Sequence, residues 1–157
     1  MVHSLSAEDR ATVKRIAQER HNTARESGTV NLKIGKQSDE FVDLNGLGGE
    51  VAFCRLFGLE PDFDTSNGAE NKVDARLPDG RTVDIKTTDH PRGNLLARVI
   101  HDEIDVFVLV RGRFPSYKLV GWIDRAIFKR SRKKNMGYGP THFYSAENLH
   151  PIETLLD

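Results

Sequence analysis

Cysteine is almost absent from this chain. Cys54 is the single one in 157 residues, so no internal disulfide and no cysteine-based zinc cage can form. Net charge is absent too, with 23 basic residues against 23 acidic ones. Aromatic residues are few, at 8%, while 38% of the chain is hydrophobic and 29% charged, which is the balance of a globular domain and excludes wholesale disorder. No run approaches the ~20 consecutive apolar residues of a membrane span, and the first ten residues lack the apolar stretch of a signal peptide. The expectation is a cytoplasmic protein with no membrane partner, stabilised by packing. Its length fits one domain.

A zero total can hide an uneven distribution. Between positions 111 and 134 stand Arg111, Arg113, Lys118, Arg125, Lys129, Arg130, Arg132, Lys133 and Lys134, against the single acid Asp124. Between 60 and 74 the bias reverses, with Glu60, Asp62, Asp64, Glu70 and Asp74 facing only Lys72. Either run could be a solvated face. Together they could place an acidic site beside a basic track.

The predicted elements suggest an α/β fold with a mixed sheet flanked by helices. Ser6 with Asp9 approximates a capping box ahead of Val13, Ile16, Ala17 and Ala24 at helical spacing, which predicts a helix over 7–26, ended by Gly28. A short strand is expected at 30–34. Gly46, Gly48 and Gly49 open a second predicted helix over 47–57, striped by Val51, Phe53, Cys54 and Phe57 and closed by Gly58. Strands are expected at 71–77 and 81–87, a short helix at 94–101, a central strand at 106–110 with its neighbour at 117–123, and a basic helix at 124–133. The tail over 145–156 has apolar clusters to dock. This divides the single domain into an N-terminal helix and extension (1–45), a core (46–123), and a basic helix and tail (124–157).

The two strands joined by Pro78-Asp79-Gly80 carry the most information, because register decides which side chains share a face. A two-residue turn on Asp79-Gly80 would need the N–H that Pro78 lacks. A three-residue loop instead puts Pro78 where its φ fits a type I turn and leaves the left-handed position to Gly80. Leu77 then pairs with Arg81, Asp74 faces Asp84, and Lys72 faces Lys86. Val73, Ala75, Leu77, Val83 and Ile85 form one face, with Lys72, Asp74, Arg76, Thr82, Asp84 and Lys86 on the other. Facing carboxylates about 5 Å apart repel unless a positive charge lies between them. A divalent cation would resolve the conflict, and oxygen ligands favour Mg²⁺ or Mn²⁺. Glu50 falls on the apolar stripe of its helix, where an acid needs a partner or the help of a first-turn helix dipole. Lys86, two residues after Asp84, brings an ammonium alongside. The alternative is that the two aspartates simply solvate an exposed sheet face.

Glu50 on a helix, Asp74, and Asp84-Ile85-Lys86 together resemble the active-site signature of the PD-(D/E)XK nuclease superfamily, the restriction-endonuclease-like fold. The resemblance runs roughly over 47–123 and implies that family's αβββαβ core. It implies that Asp74 and Asp84 ligate Mg²⁺, with Mn²⁺ as substitute. By the same resemblance the Ile85 carbonyl would add a ligand, Glu50 would bind directly or through water, and Lys86 would assist the attacking water. Val73 stands where the family's motif has proline, and Pro61-Asp62 is a rival for the first acid.

Phosphodiester hydrolysis needs an activated water and relief of charge at phosphorus and at the leaving oxygen, which bound metal can supply. Arg111, Arg113, Lys118, Lys129, Arg130, Arg132, Lys133 and Lys134 would position DNA through its phosphates. Tyr117 and Trp122 suit strand packing better than base stacking. His90, Asn94 and His101 lie too close in sequence for a His-Asn-His nuclease. The glycines at 46–49 lack the Lys-Ser/Thr of a phosphate loop, and Cys54 suits the core. The expected function is a metal-dependent DNA endo- or exonuclease, structure-selective and working as a homodimer. The alternatives are an inactive nucleic-acid-binding protein of the same fold and a structural module.

Overall fold

The computed structural model describes residues 1–26, 39–63, 73–137 and 139–157. The expected strand at 30–34, the helix end at Gly28, and Lys72 lie outside them. Helix α1 (Ala7–Glu26) has the predicted bounds. Ser6 Oγ accepts the Asp9 N–H at 3.1 Å, satisfying one of the free donors of the first turn. Val13, Ile16 and Ala17 are buried on its core side.

Helix α2 spans Asp39–Leu56 and so begins well before residue 47. The glycines expected to open it lie inside it, where they cost helix propensity but permit close packing. A Cβ on Gly48 would come within 2.1 Å of the Tyr117 hydroxyl, and one on Gly49 within 2.0 Å of Thr87 Oγ1. Asn45 adds a polar anchor by donating to the Gly112 carbonyl at 2.9 Å and accepting the Phe114 N–H at 2.8 Å. The α1 and α2 helices are tied by Arg55, whose Nε and Nη2 each donate to the Asp9 carboxylate at 3.0 Å.

The main sheet holds β1 (Val2–Ser4), β2 (Ala75–Arg76), β3 (Thr82–Thr88), β5 (Val106–Arg113), β6 (Ser116–Asp124) and β9 (His150–Pro151). Its order is β1-β6-β5-β3-β2, with β9 also on β6. Among these pairs only β3 and β5 are parallel. As expected from its unbroken apolar run, β5 is central and buried from Val106 to Val110. Val83, Ile85, Val106, Val108 and Val110 pack with α1 and α2 on one face, while Phe107, Leu109 and Ile123 belong to a second core cluster.

The other face corrects two expectations. Residues 94–101 do not form a helix: β4 (Leu95–Ala97) joins β8 (Pro140–Tyr144) and β7 (Lys133–Asn135) in a separate antiparallel sheet of order β4-β8-β7. The apolar spacing of Leu95 and Ala97 is that of a strand burying alternate residues, and both lie in the second cluster. The crossover from β3 to β5 therefore carries a strand where an αβββαβ order places a helix. The basic helix is also shorter than 124–133. It is α3 (Arg125–Lys129), with Phe128 buried, and the chain then extends into β7. The tail docks as expected, with Ile152 and Leu155 buried against the first cluster.

Candidate active site

The β2–β3 hairpin has the register that turn chemistry requires. Ala75 pairs with Val83 and Arg76 with Thr82, which puts Asp74 opposite Asp84. The Leu77 N–H donates to the Arg81 carbonyl and the Gly80 N–H to the Leu77 carbonyl, both at 2.9 Å. Gly80 has φ +94°, a conformation side chains disfavour. Ala75, Leu77, Val83 and Ile85 share one face as expected. Val73 does not, because the chain before Ala75 leaves the ladder and Val73 packs with the opposite cluster.

Three acids meet at this point. Asp74 is in hydrogen-bond contact with Glu50 and with Asp84, and all three feel one another's charge. Close packing of Gly48 and Gly49 on Tyr117 and Thr87 seats α2 against the sheet one residue before Glu50. Glu50 lies deep in α2, not in its first turn, so the dipole of the helix N-terminus does not account for an acid here. Burial lifts the Glu50 carboxyl from 4.5 to about 7, with Asp84 adding to the effect and Arg20 opposing it. Burial pushes Asp74 well above the carboxylate range, followed by the charges of Glu50 and Asp84, while the Ile85 N–H pulls the other way.

Two cations border the acids. Lys86 Nζ lies 3.1 Å from Asp84 Oδ2, and Arg20 Nη1 lies 3.8 Å from Glu50 Oε2. Among the described residues, the partners of the Asp74 carboxylate are the two acids and the backbone N–H of Ile85. Carboxylates that touch must share protons or a cation. The donor set is all oxygen, which suits Mg²⁺ or Mn²⁺ in chemistry. Among the described residues no group of three His, Cys, Asp or Glu side chains is arranged to hold a metal ion. Ile85, expected to offer its carbonyl, meets the acids through its N–H.

Asp62, the rival first acid, is exposed, and its backbone carbonyl accepts from Arg20 Nη2 at 3.4 Å. Arg20 is the residue at this site that the motif does not contain. A signal for it exists, since it continues the buried stripe of Val13, Ile16 and Ala17, just as Glu50 interrupts that of α2.

The basic residues divide into two groups on separate elements. Arg111, Arg113 and Lys118 lie on the β5–β6 hairpin, where Arg111 faces Lys118. Arg111 donates twice to the Gly93 carbonyl, at 2.9 and 2.7 Å, and Arg113 lies 4.9 Å from the centre of the Phe41 ring. Arg130, Arg132, Lys133 and Lys134 are exposed on the segment from α3 through β7, with Lys134 over Phe143 at 3.9 Å. Lys129 pairs with Asp102.

Tyr117 is buried and its hydroxyl donates to the Asn45 carbonyl at 3.1 Å, whereas Trp122 Nε1 donates to Thr154 at 3.0 Å. Both pack within the protein. Cys54 is buried, and burial with the charge of Glu50 pushes its thiol up to about 12, so it stays protonated and unreactive. Asn94 accepts the Ala146 N–H at 2.9 Å, tying its segment to the C-terminal tail, and His90 accepts the Arg92 N–H at 3.0 Å within a local turn, so both serve structure.

Among the described residues no helix is long and apolar enough to cross a membrane. No curated protein and no solved structure matches the chain. Residues 2–111, more than half of the chain and all of the acid site, match the model of the family of unknown function DUF5843, and the protein belongs to that family.

Proposed function

We propose that this protein is a metal-dependent nuclease that hydrolyses DNA phosphodiester bonds, with a core of the restriction-endonuclease type. The observation that carries the proposal is the contact of Asp74 with both Glu50 and Asp84, with Lys86 3.1 Å from Asp84. Three acids, one from α2 and two from the β2–β3 hairpin region, crowd together at the sheet edge. Burial makes their mutual repulsion costly, and a structural role would be served better by apolar or neutral residues. The crossover without a helix departs from the αβββαβ order, but it covers the sheet face away from α2 and leaves the acids on their helix and hairpin.

Glu50, Asp74 and Asp84 would hold Mg²⁺ or Mn²⁺. When bound, the cation supplies charge neutralisation at the phosphate and a more acidic water. Lys86 Nζ, held by Asp84, donates hydrogen bonds to the attacking water or to the charge that develops on phosphate oxygen. The Ile85 N–H keeps the Asp74 carboxylate oriented. Exposed Arg130, Arg132, Lys133 and Lys134 on one segment, and Arg113 and Lys118 on the hairpin, attract the backbone of DNA without reading its bases.

The test is cleavage of supercoiled, linear, single-stranded and branched DNA in Mg²⁺ or Mn²⁺, beside Asp84→Ala. Metal-dependent cleavage by the wild type and its loss in the variant are expected. Cleavage that persists in Asp84→Ala would refute the site, and salt-sensitive binding without cleavage would mark a binding protein. Light scattering with and without DNA checks the homodimer.

A further inference from the structure

The motif residues account for the acids and for one of the two cations beside them. Arg20 is the other. Its place on α1 is unusual for a charged side chain, because it extends the stripe that buries Val13, Ile16 and Ala17. Only 35% of the side chain is exposed, and the guanidinium reaches towards Glu50 on α2 and the backbone at Asp62.

The contacts are long. Among the described residues none is shorter than 3.4 Å, with Nη2 that far from the Asp62 carbonyl and Nη1 at 3.8 Å from Glu50. Arg55 shows what a structural arginine does in the same pair of helices: two donors on one carboxylate, each at 3.0 Å. Five N–H donors on a rigid plane suit the paired oxygens of a phosphate. Arg20 has donors left over and a partly open approach. It also borders Glu50 while Lys86 borders Asp84, so the two cations approach different members of the acid set.

We propose that Arg20 binds the non-bridging oxygens of the scissile phosphodiester and is a substrate-binding residue of the acid site. This rests on the nuclease reading and adds a residue to it. In the free protein Glu50 and the Asp62 carbonyl hold the guanidinium near the acids. An incoming phosphate offers it closer and better-aligned acceptors. Its charge also opposes that of a bound cation, so its removal should not weaken metal binding.

The experiment compares full-length wild type, Arg20→Gln and Arg20→Lys in three measurements: kcat/KM for DNA cleavage in Mg²⁺, affinity for a short duplex in Ca²⁺, and affinity for Mn²⁺ by calorimetry without DNA. Loss of charge-assisted hydrogen bonds predicts that Arg20→Gln lowers kcat/KM and duplex affinity by about 10- to 100-fold. Mn²⁺ affinity is expected to stay equal or rise. Arg20→Lys keeps the charge without the fork, recovers part of the loss, and serves if the glutamine variant does not fold. A kcat/KM and duplex affinity within about twofold of wild type in Arg20→Gln, with only a lower melting temperature, would overturn the proposal and leave Arg20 a tie between helices. If wild type cleaves no DNA, the nuclease reading fails separately. Arg20 is then judged on the duplex alone: weaker binding by Arg20→Gln sustains the phosphate contact, and equal binding overturns it.

Discussion

Asp74 reaches past the residue it faces: its Oδ2 accepts the backbone N–H of Ile85 at 2.7 Å, one position beyond Asp84. The bond holds the carboxylate at the rung between Asp84 and Lys86, so Asp74 cannot swing away to relieve repulsion. Hydrogen bonding favours its charged form while burial and two neighbouring acids oppose it, and the opposing effects win. The acid cluster is therefore a place where the fold gives up stability.

Asp74→Asn tests that cost. The amide oxygen can still accept from Ile85, and one of three crowded charges disappears. The metal-free variant should be more stable than wild type at pH 8 by about 1 to 2 kcal/mol in urea denaturation. Its metal-dependent cleavage should fall by roughly 100-fold or more. A variant that is both less stable and fully active would contradict the role given to Asp74.

Stability of the metal-free protein should fall as pH rises. Glu50 goes from 4.5 in the unfolded chain to about 7 in the folded one, so the folded state binds its proton more tightly. Its contribution is complete below about pH 4.5 and declines through pH 7, by on the order of 3 kcal/mol. Asp74 shifts in the same direction. Urea midpoints in EDTA across pH 4 to 8 should show wild type losing ground to Glu50→Gln over that window, with Mg²⁺ restoring part of the loss at neutral pH.

The three α2 glycines should respond differently to alanine. Gly49→Ala puts a Cβ 2.0 Å from Thr87 Oγ1 and Gly48→Ala 2.1 Å from the Tyr117 hydroxyl, so each should cost about 1 to 3 kcal/mol. Thr87→Ala should recover part of the Gly49→Ala loss by removing the atom it strikes. Gly46 has nothing within 4 Å of a new Cβ, and Gly46→Ala should gain about 0.5 to 1 kcal/mol from helix propensity. Thermal melts of the four variants check the order.

Basic residues should separate by their partners. Arg130→Ala, Arg132→Ala and Lys133→Ala remove exposed charges, and each lost phosphate contact should flatten the log–log salt slope of DNA binding by about 0.9 without moving the melting temperature. Arg111→Ala instead removes two bonds to the Gly93 carbonyl and should lower stability. Fluorescence anisotropy at several salt concentrations, paired with melts, tells the two kinds apart.

What the sequence determined by itself is what neighbouring residues can decide. The Ser6 cap and apolar spacing specify α1, and Pro78 with Gly80 specifies a turn whose register puts Asp74 against Asp84. Spacing also marks Glu50 as an acid on an apolar stripe. Where two conformations were locally acceptable, distant contacts chose. Leu95 and Ala97 became a strand because β8 lay ready to pair with them, and the stretch after Lys129 became β7 on the same sheet. The glycines of α2 looked like a helix start, since their value lies in the close approach of Thr87 and Tyr117, residues far along the chain. Only the tertiary structure brought Arg20 to Glu50 and Glu50 to Asp74, because those meetings depend on how α1 and α2 lean on the sheet, and no local spacing encodes that angle.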